Sequence, residues 1–197
     1  ERALELRVRT LGASHPRVAD TLVNLGNVDY AEGDAEEALE RYQQALAIYE
    51  DAYGEEHPHV ALLHNNIGAI LQNQGRLAQA DLHQRRALTL REALLGADHP
   101  MVARSLTAVS AGLVLLGRRA EAQEKLERAL AIYAAADTDP LGRADASFGL
   151  AQLLWEDAAT RPRALELAWD ASVAYQALRD PELERLETWV RERREGA

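Results

Sequence analysis

The sequence has no cysteine, one phenylalanine and one methionine. Without thiols, disulfides and thiolate metal sites are excluded, and the chain suits a reducing, cytoplasmic setting. No run approaches the ~18 apolar residues of a membrane span. No signal-peptide pattern is visible at residue 1. β-Branched runs are lacking, and no stretch alternates apolar and polar residues for long. Basic residues are in deficit, 22 Lys and Arg against 32 Asp and Glu, for a formal charge of −10. Nucleic acid and anionic membrane are therefore poor partners, because both need a basic surface.

What is present is helix-forming. Hydrophobic residues make up 47% of the 197, with Ala and Leu throughout. Both lose little side-chain entropy in a helix. The composition predicts an all-α protein.

A repeat organises the chain. Gly-x-x-His-Pro occurs at Gly12-His15-Pro16, Gly54-His57-Pro58 and Gly96-His99-Pro100, a step of 42 residues. Val18, Val60 and Val102 keep that step, as do Gly33, Gly75 and Gly117, and Ala45, Ala87 and Ala129. Each repeat reads as two helices. Pro suits a first helical turn, where its missing N–H costs nothing, so helix A spans roughly 16–31 of the first repeat. Its apolar positions Val18, Leu22, Leu25 and Val28 follow helical spacing. Gly33 ends it by tolerating the left-handed conformation. Helix B, roughly 35–52, aligns Ala38, Leu39, Tyr42, Ala45, Leu46 and Tyr49 on one stripe. Gly26 and Gly68 lie inside helix A, where Gly costs ~1 kcal/mol against Ala. That cost makes sense where another helix backbone approaches closely.

The step also reads the ends. Ala3, Leu4, Leu6, Leu11 and Gly12 match Ala45, Leu46, Ile48, Tyr53 and Gly54. Residues 1–12 are thus expected to be the end of a truncated preceding repeat, in a piece of a longer array. Residues 13–54, 55–96 and 97–138 are three repeats, and 139–180 a degenerate fourth. That fourth repeat has Asp137-Thr138-Asp139-Pro140 for its marker loop and a turn at Ala159-Thr160-Arg161-Pro162 without Gly. Residues 181–197 form a capping helix of one continuous domain, with a mixed-charge face of Glu184, Arg185, Glu187, Arg191, Arg193 and Arg194. Terminal repeats cap a solenoid with a polar face. Trp155, Trp169 and Trp189 are expected to fill the core of this cap.

Leu25-Gly26 with Tyr30, then Gly33, Ala38, Tyr42 and Ala45, resembles the tetratricopeptide consensus. The 42-residue period and the Gly-x-x-His-Pro loop resemble the longer variant of kinesin light chains and many bacterial regulatory proteins. Residues 144–155, 163–168 and 184–191 are similar to the C-terminal end of tetratricopeptide regions following bacterial Ser/Thr protein kinase domains. That similarity implies a kinase in the parent protein. No Gly-rich nucleotide loop or catalytic-loop triplet occurs in these residues.

The first resemblance implies an α-α superhelix, a tetratricopeptide solenoid of antiparallel helix pairs, with helix A on the concave face. Its groove positions are Asp20, Val23, Asn24, Asn27 and Ala31 in repeat 1. In repeat 2 they are Leu62, Asn65, Asn66, Ala69 and Asn73. In repeat 3 they begin with Arg104 and continue through Thr107, Ala108, Ala111 and Leu115. Asn carries both donor and acceptor, so a ladder of Asn can grip the backbone of an extended peptide. Asn24 and Asn66 match the Asn used in this way in kinesin-light-chain-like repeats. Ala108 breaks the ladder, which narrows the expected surface to repeats 1 and 2. The alternative is that these Asn bond to neighbouring helices. Val23 and Asn27 stand where a carboxylate clamp needs Lys and Asn, so that clamp is not expected.

No catalytic chemistry is expected. There is no phosphate-binding Gly-rich loop with Lys, and no Ser, His and Asp set arranged for nucleophilic attack. His15, His57 and His99 belong to the repeat loop. His57, His59, His64 and His83 lack a clear third ligand at helical spacing, so neither a metal nor another cofactor is expected. The carboxylates fall near Arg at helical spacing, as in Glu37-Arg41 and Glu124-Arg128, which marks a solvated face. The sequence predicts an interaction scaffold that binds a peptide or protein segment. The alternative is a regulatory, sensor or self-association arm of a larger bacterial signalling protein such as a Ser/Thr kinase.

Overall fold

The computed structural model describes residues 2–136 and 138–195, with the side chains of residues 194 and 195 excepted. Asp137 of the expected fourth-repeat loop, the side chain of Arg194 and residues 196–197 lie outside the described residues. The chain divides into two compact units, Glu1–Ala97 and Asp98–Ala197. Among the described residues all regular structure is helical.

The first unit holds α1 (Arg2–Leu11), α2 (Pro16–Glu32), α3 (Ala35–Tyr53), α4 (Pro58–Asn73) and α5 (Leu77–Leu95). Pro16 and Pro58 open α2 and α4, as their fixed φ favours. The His of the marker supplies the cap. His15 Nδ1 accepts from the Arg17 N–H at 3.1 Å and His57 Nδ1 from the His59 N–H at 3.3 Å. Each satisfies an amide that the first helical turn leaves without a partner. Gly33 closes α2 at φ 96°, ψ 1°, in the left-handed region.

The helices pair antiparallel. Tyr49, late in α3, donates to Asp20, early in α2, at 2.7 Å, while Tyr42 donates to Asn27 further along α2 at 2.6 Å. The whole stripe Ala38, Leu39, Tyr42, Ala45, Leu46 and Tyr49 is buried, against Val18, Ala19 and Leu22. Val28, expected on the apolar stripe of α2, is exposed instead. Gly26 marks a close approach of both backbone and side chain. A Cβ there would lie 2.8 Å from Tyr42 Cε1 and 3.3 Å from the Ala38 carbonyl oxygen. Gly68 repeats this in the second pair, with Gln84 Cγ at 2.7 Å and the Gln84 backbone nitrogen at 3.3 Å.

The second unit holds α6 (Pro100–Leu115), α7 (Arg119–Ala136), α8 (Pro140–Leu154), α9 (Arg161–Leu178) and α10 (Glu182–Glu195). His99 caps α6 as His15 caps α2, accepting from the Met101 N–H at 3.1 Å. The fourth repeat lacks the marker, and Asp139 takes over. Asp139 adopts φ 56° and its carboxylate accepts from the Gly142 N–H at 3.0 Å. Tyr175 of α9 donates to Asp145 of α8 at 2.8 Å, so this pair is antiparallel too.

The three tryptophans part company. Trp189 of α10 is buried, edge-on to Phe148 at 5.8 Å and to the half-buried Trp155 at 5.6 Å. Arg193 lies over its ring at 4.5 Å, a cation–π contact. Trp189 fills the core as expected, and Trp155 packs at its edge, half-buried. Trp169 does neither: it is 70% exposed on α9. The reason is register. Three, two and one steps of 42 before it stand Gln43, Arg85 and Glu127, all polar, on a helix face that does not point into the pair.

Candidate peptide-binding surface

The expected groove positions of repeats 1 and 2 fall on α2 and α4, within the first unit. Asp20, Asn24 and Asn27 are exposed and Val23 half-buried on α2. On α4, Leu62, Ala69 and Asn73 are exposed, while Asn65 and Asn66 are half-buried. The Tyr42 hydroxyl brings the two helices together. It donates to Asn27 Oδ1 at 2.6 Å and has Asn66 as a further hydrogen-bonding neighbour. Burial pushes the Tyr42 phenol above its ordinary value, against the pull of Asn66, so it stays protonated at neutral pH. Further along α4, Asn73 Nδ2 donates to the Tyr30 hydroxyl of α2 at 2.7 Å.

Several groove residues are thus anchored by neighbouring helices. Asp20 accepts from Tyr49, whose phenol is raised well above its ordinary value by burial first and then by Asp20. Asn65 Oδ1 accepts from Arg91 of α5 at 3.3 Å. Each anchored amide uses one hydrogen-bonding function and retains others, because Asn offers two donors and a two-lone-pair acceptor. Asn27 and Asn65 commit their oxygens and keep their N–H donors. Asn73 commits a donor and keeps its oxygen. Asn24 stands exposed on α2, and Leu62 and Ala69 supply apolar surface on α4. Four of these amides, Asn27, Asn65, Asn66 and Asn73, are held by hydrogen bonds to Tyr and Arg side chains of neighbouring helices.

Arg104, the remaining expected position, lies on α6 in the second unit. It is exposed and pairs with Asp139 at 3.3 Å. Ala111 and Leu115 are exposed on the same helix, with Thr107 and Ala108 half-buried.

Tyr42, Tyr49, Tyr30 and Arg91 are the residues that sequence reasoning left out of the surface. The first two were readable only as core. The available signal was chemical: a chain with one Phe and six Tyr places hydroxyls at most of its buried aromatic positions, and a buried Tyr hydroxyl usually finds a partner.

The histidines are occupied otherwise. Besides capping α4, His57 stacks on Tyr53 at 4.4 Å, and His59 stacks on Tyr49 at 4.8 Å. His64 of α4 and His83 of α5 meet Nδ1 to Nδ1 at 2.9 Å. Among the described residues no group of three or more His, Asp or Glu side chains is placed to hold a metal ion. No described helix is long and apolar enough to cross a membrane.

Comparison with known proteins bears on the fold. A family model described as Tetratricopeptide repeat matches residues 1–51 and 59–135. No curated protein matches the chain. Among solved structures the chain is similar to BtubC (BKLC) from P. vanneervenii, at 23% identity and a TM-score of 0.78, over 90% of this chain and 71% of that one. It is also similar to a putative kinesin light chain with nearly identical TPR-like repeats from Podosopora anserina. There the identity is 23% and the TM-score 0.70, over 91% of this chain and 85% of that one. Aspartyl phosphate phosphatase F from Bacillus subtilis matches at 16% identity and a TM-score of 0.73, over 88% of this chain and 45% of that one. At these identities the likenesses establish the fold alone.

Proposed function

The chain belongs to the tetratricopeptide repeat family, whose repeats generally act as protein–protein interaction modules, and from that membership we propose that it binds an extended peptide or protein segment along α2 and α4. The observation that carries this reading is the amide face of those helices. Asn24, Asn27, Asn65, Asn66 and Asn73 lie on two helices joined through Tyr42 and Tyr30. Asn27, Asn65, Asn66 and Asn73, whose rotamers are already held by hydrogen bonds, would meet peptide backbone at small entropic cost, with Asn24 exposed beside them. The alternate side chains of such a peptide would meet Leu62, Ala69 and Val23. The cysteine-free sequence suits the cytoplasm, the setting we infer for this binding.

The test is a peptide selected from a random displayed library against the wild-type chain, then measured by titration calorimetry. Asn24→Ala with Asn66→Ala removes two amides, each worth about 0.5–1.5 kcal/mol net. The double variant is expected to bind roughly tenfold or more weakly, with far-ultraviolet circular dichroism unchanged. Equal affinity of the two proteins would remove this surface from consideration.

A further inference from the structure

α4 breaks the repeat at one core position. His64 stands one step of 42 after Leu22, one before Leu106 and two before Phe148, all three buried. His83 of α5 stands at the step of Arg41, Lys125 and Leu167. The sister repeats carry no histidine at either step, so the pattern that accounts for His15, His57 and His99 does not account for these two. Packing does not call for them either. An imidazole at the step of a buried Leu brings a polar ring into the helix pair, and such a ring needs a partner there. Its partner is the other histidine, nineteen residues on and in the next helix.

The two rings meet Nδ1 to Nδ1 at 2.9 Å, with their planes tilted by 44°. Both residues are half-buried, so solvent reaches the pair. Burial above all holds both below the ordinary imidazole value, and both are neutral at pH 7. Neutral imidazole is the form that ligates a transition-metal ion. The spacing also selects among ions. With metal–nitrogen bonds of about 2.0–2.1 Å, two nitrogens 2.9 Å apart subtend roughly 90° at an ion lying off the line between them. That is the cis angle of a square-planar or octahedral ion, the preference of copper(II) and nickel(II). A tetrahedral ion such as zinc(II) would spread the same atoms to about 3.3 Å. The Arg86 guanidinium faces His64, and its repulsion of a cation is offset by its pairing with Glu55 at 2.8 Å.

We propose that His64 and His83 bind a copper(II) or nickel(II) ion in cis through their Nδ1 atoms, with water in the remaining positions. Among the described residues no third His, Asp or Glu side chain completes the set. The one proton that lies between the two Nδ1 atoms moves to Nε2 of its own ring, so both rings stay neutral and no charge is left over. The ion ties α4 to α5. The site is separate from the amide surface and uses none of its side chains.

Thermal melts of the 197-residue chain test this, after stripping with a chelator and addition of copper(II), nickel(II) or zinc(II). Saturating copper(II) is expected to raise the melting temperature by about 4 °C or more. Nickel(II) should raise it more than zinc(II) does. The copper(II) form should give an electron paramagnetic resonance spectrum of a tetragonal ion with nitrogen splitting from two imidazoles. His64→Leu and His83→Leu each introduce a residue that a sister repeat carries at that step. Both should keep their helicity in chelator and lose both copper responses. His59→Arg, matching Arg17 one step earlier, removes the loop pair of His57 and His59, whose rings lie 5.1 Å apart. That variant should keep both responses. Melting unchanged by copper(II) overturns the proposal. So does a shift that survives the two leucine substitutions or vanishes in His59→Arg, which places the ion at the loop. A zinc(II) shift larger than that of nickel(II) overturns it as well, since it means a tetrahedral site.

Discussion

Ile67→Ala is expected to destabilise the first unit by about 2–5 kcal/mol, the largest effect of any single substitution considered for it. Ile67 is 0% exposed, midway along α4 and inside the core that α2 to α5 share. Truncation removes apolar burial and leaves a cavity that the surroundings can close only in part. Here they can close little. The adjacent Gly68 already brings α5 as near as atoms allow, with Gln84 where a Cβ would stand. Gln84 is itself buried and tied to Gln72 at 2.8 Å. Leu82→Ala, at a position 69% exposed on α5, is the matched control and should change stability by no more than about 0.5 kcal/mol. Denaturant melts of the two variants against the wild type measure the difference. Equal midpoints for Ile67→Ala and Leu82→Ala would mean that α4 is not held by its apolar face.

Both positions illustrate what a sequence of this kind discloses. Burial along a helix follows from periodicity, so the stripe from Ala38 to Tyr49 and the ends at Pro16 and Gly33 could be read directly. The family and its two-helix repeat were legible for the same reason, since a fixed step repeats every local signal. The His of Gly-x-x-His-Pro was legible as a marker but not as a cap. Its meaning depends on Nδ1 turning back to the N–H two residues on, and that rotamer is not written in the step. The candidate surface was half legible. The resemblance placed Asn24, Asn27 and Asn66 on one face, but which amides are anchored depends on where the opposing helix sets a hydroxyl, as Tyr42 does fifteen residues from Asn27. Trp169 shows a signal present and not used. Its hydrophobicity suggested core, while Gln43, Arg85 and Glu127 at the same register marked a face turned outward. Register outweighs residue type there because the backbone decides which way a helix position points.

The His64–His83 contact, which no periodicity announced, makes the stability of the α4–α5 pair depend on pH. Two imidazoles meeting Nδ1 to Nδ1 at 2.9 Å can share one proton between those atoms, donated by one ring and accepted by the other. A second proton there has no acceptor. Burial, then the neighbouring His83, then the Arg86 guanidinium hold His64 down to about 4, and burial lowers His83 as well. Arg86, paired with Glu55 at 2.8 Å, is the charged group facing the pair. In the unfolded chain both rings titrate near the ordinary value of about 6.5. Above that pH both states hold the rings neutral, and the pair's contribution is fully present. As pH falls from about 6.5 to about 4, the unfolded chain takes up protons that the folded chain refuses, so stability is lost across that window and no further below it. The melting temperature should therefore fall between pH 7 and pH 4.5, and fall less in the double variant His64→Gln, His83→Gln, whose amides can keep a hydrogen bond without titrating. Glu50 and Asp145 are raised by burial and act in the opposite direction, but they are common to both proteins and cancel in the comparison. Parallel melting curves for the two proteins over that range would show that the contact bears no part of the acid response. A steeper loss in the wild type would place it in the histidine pair, since the substitutions remove only its two titrating rings.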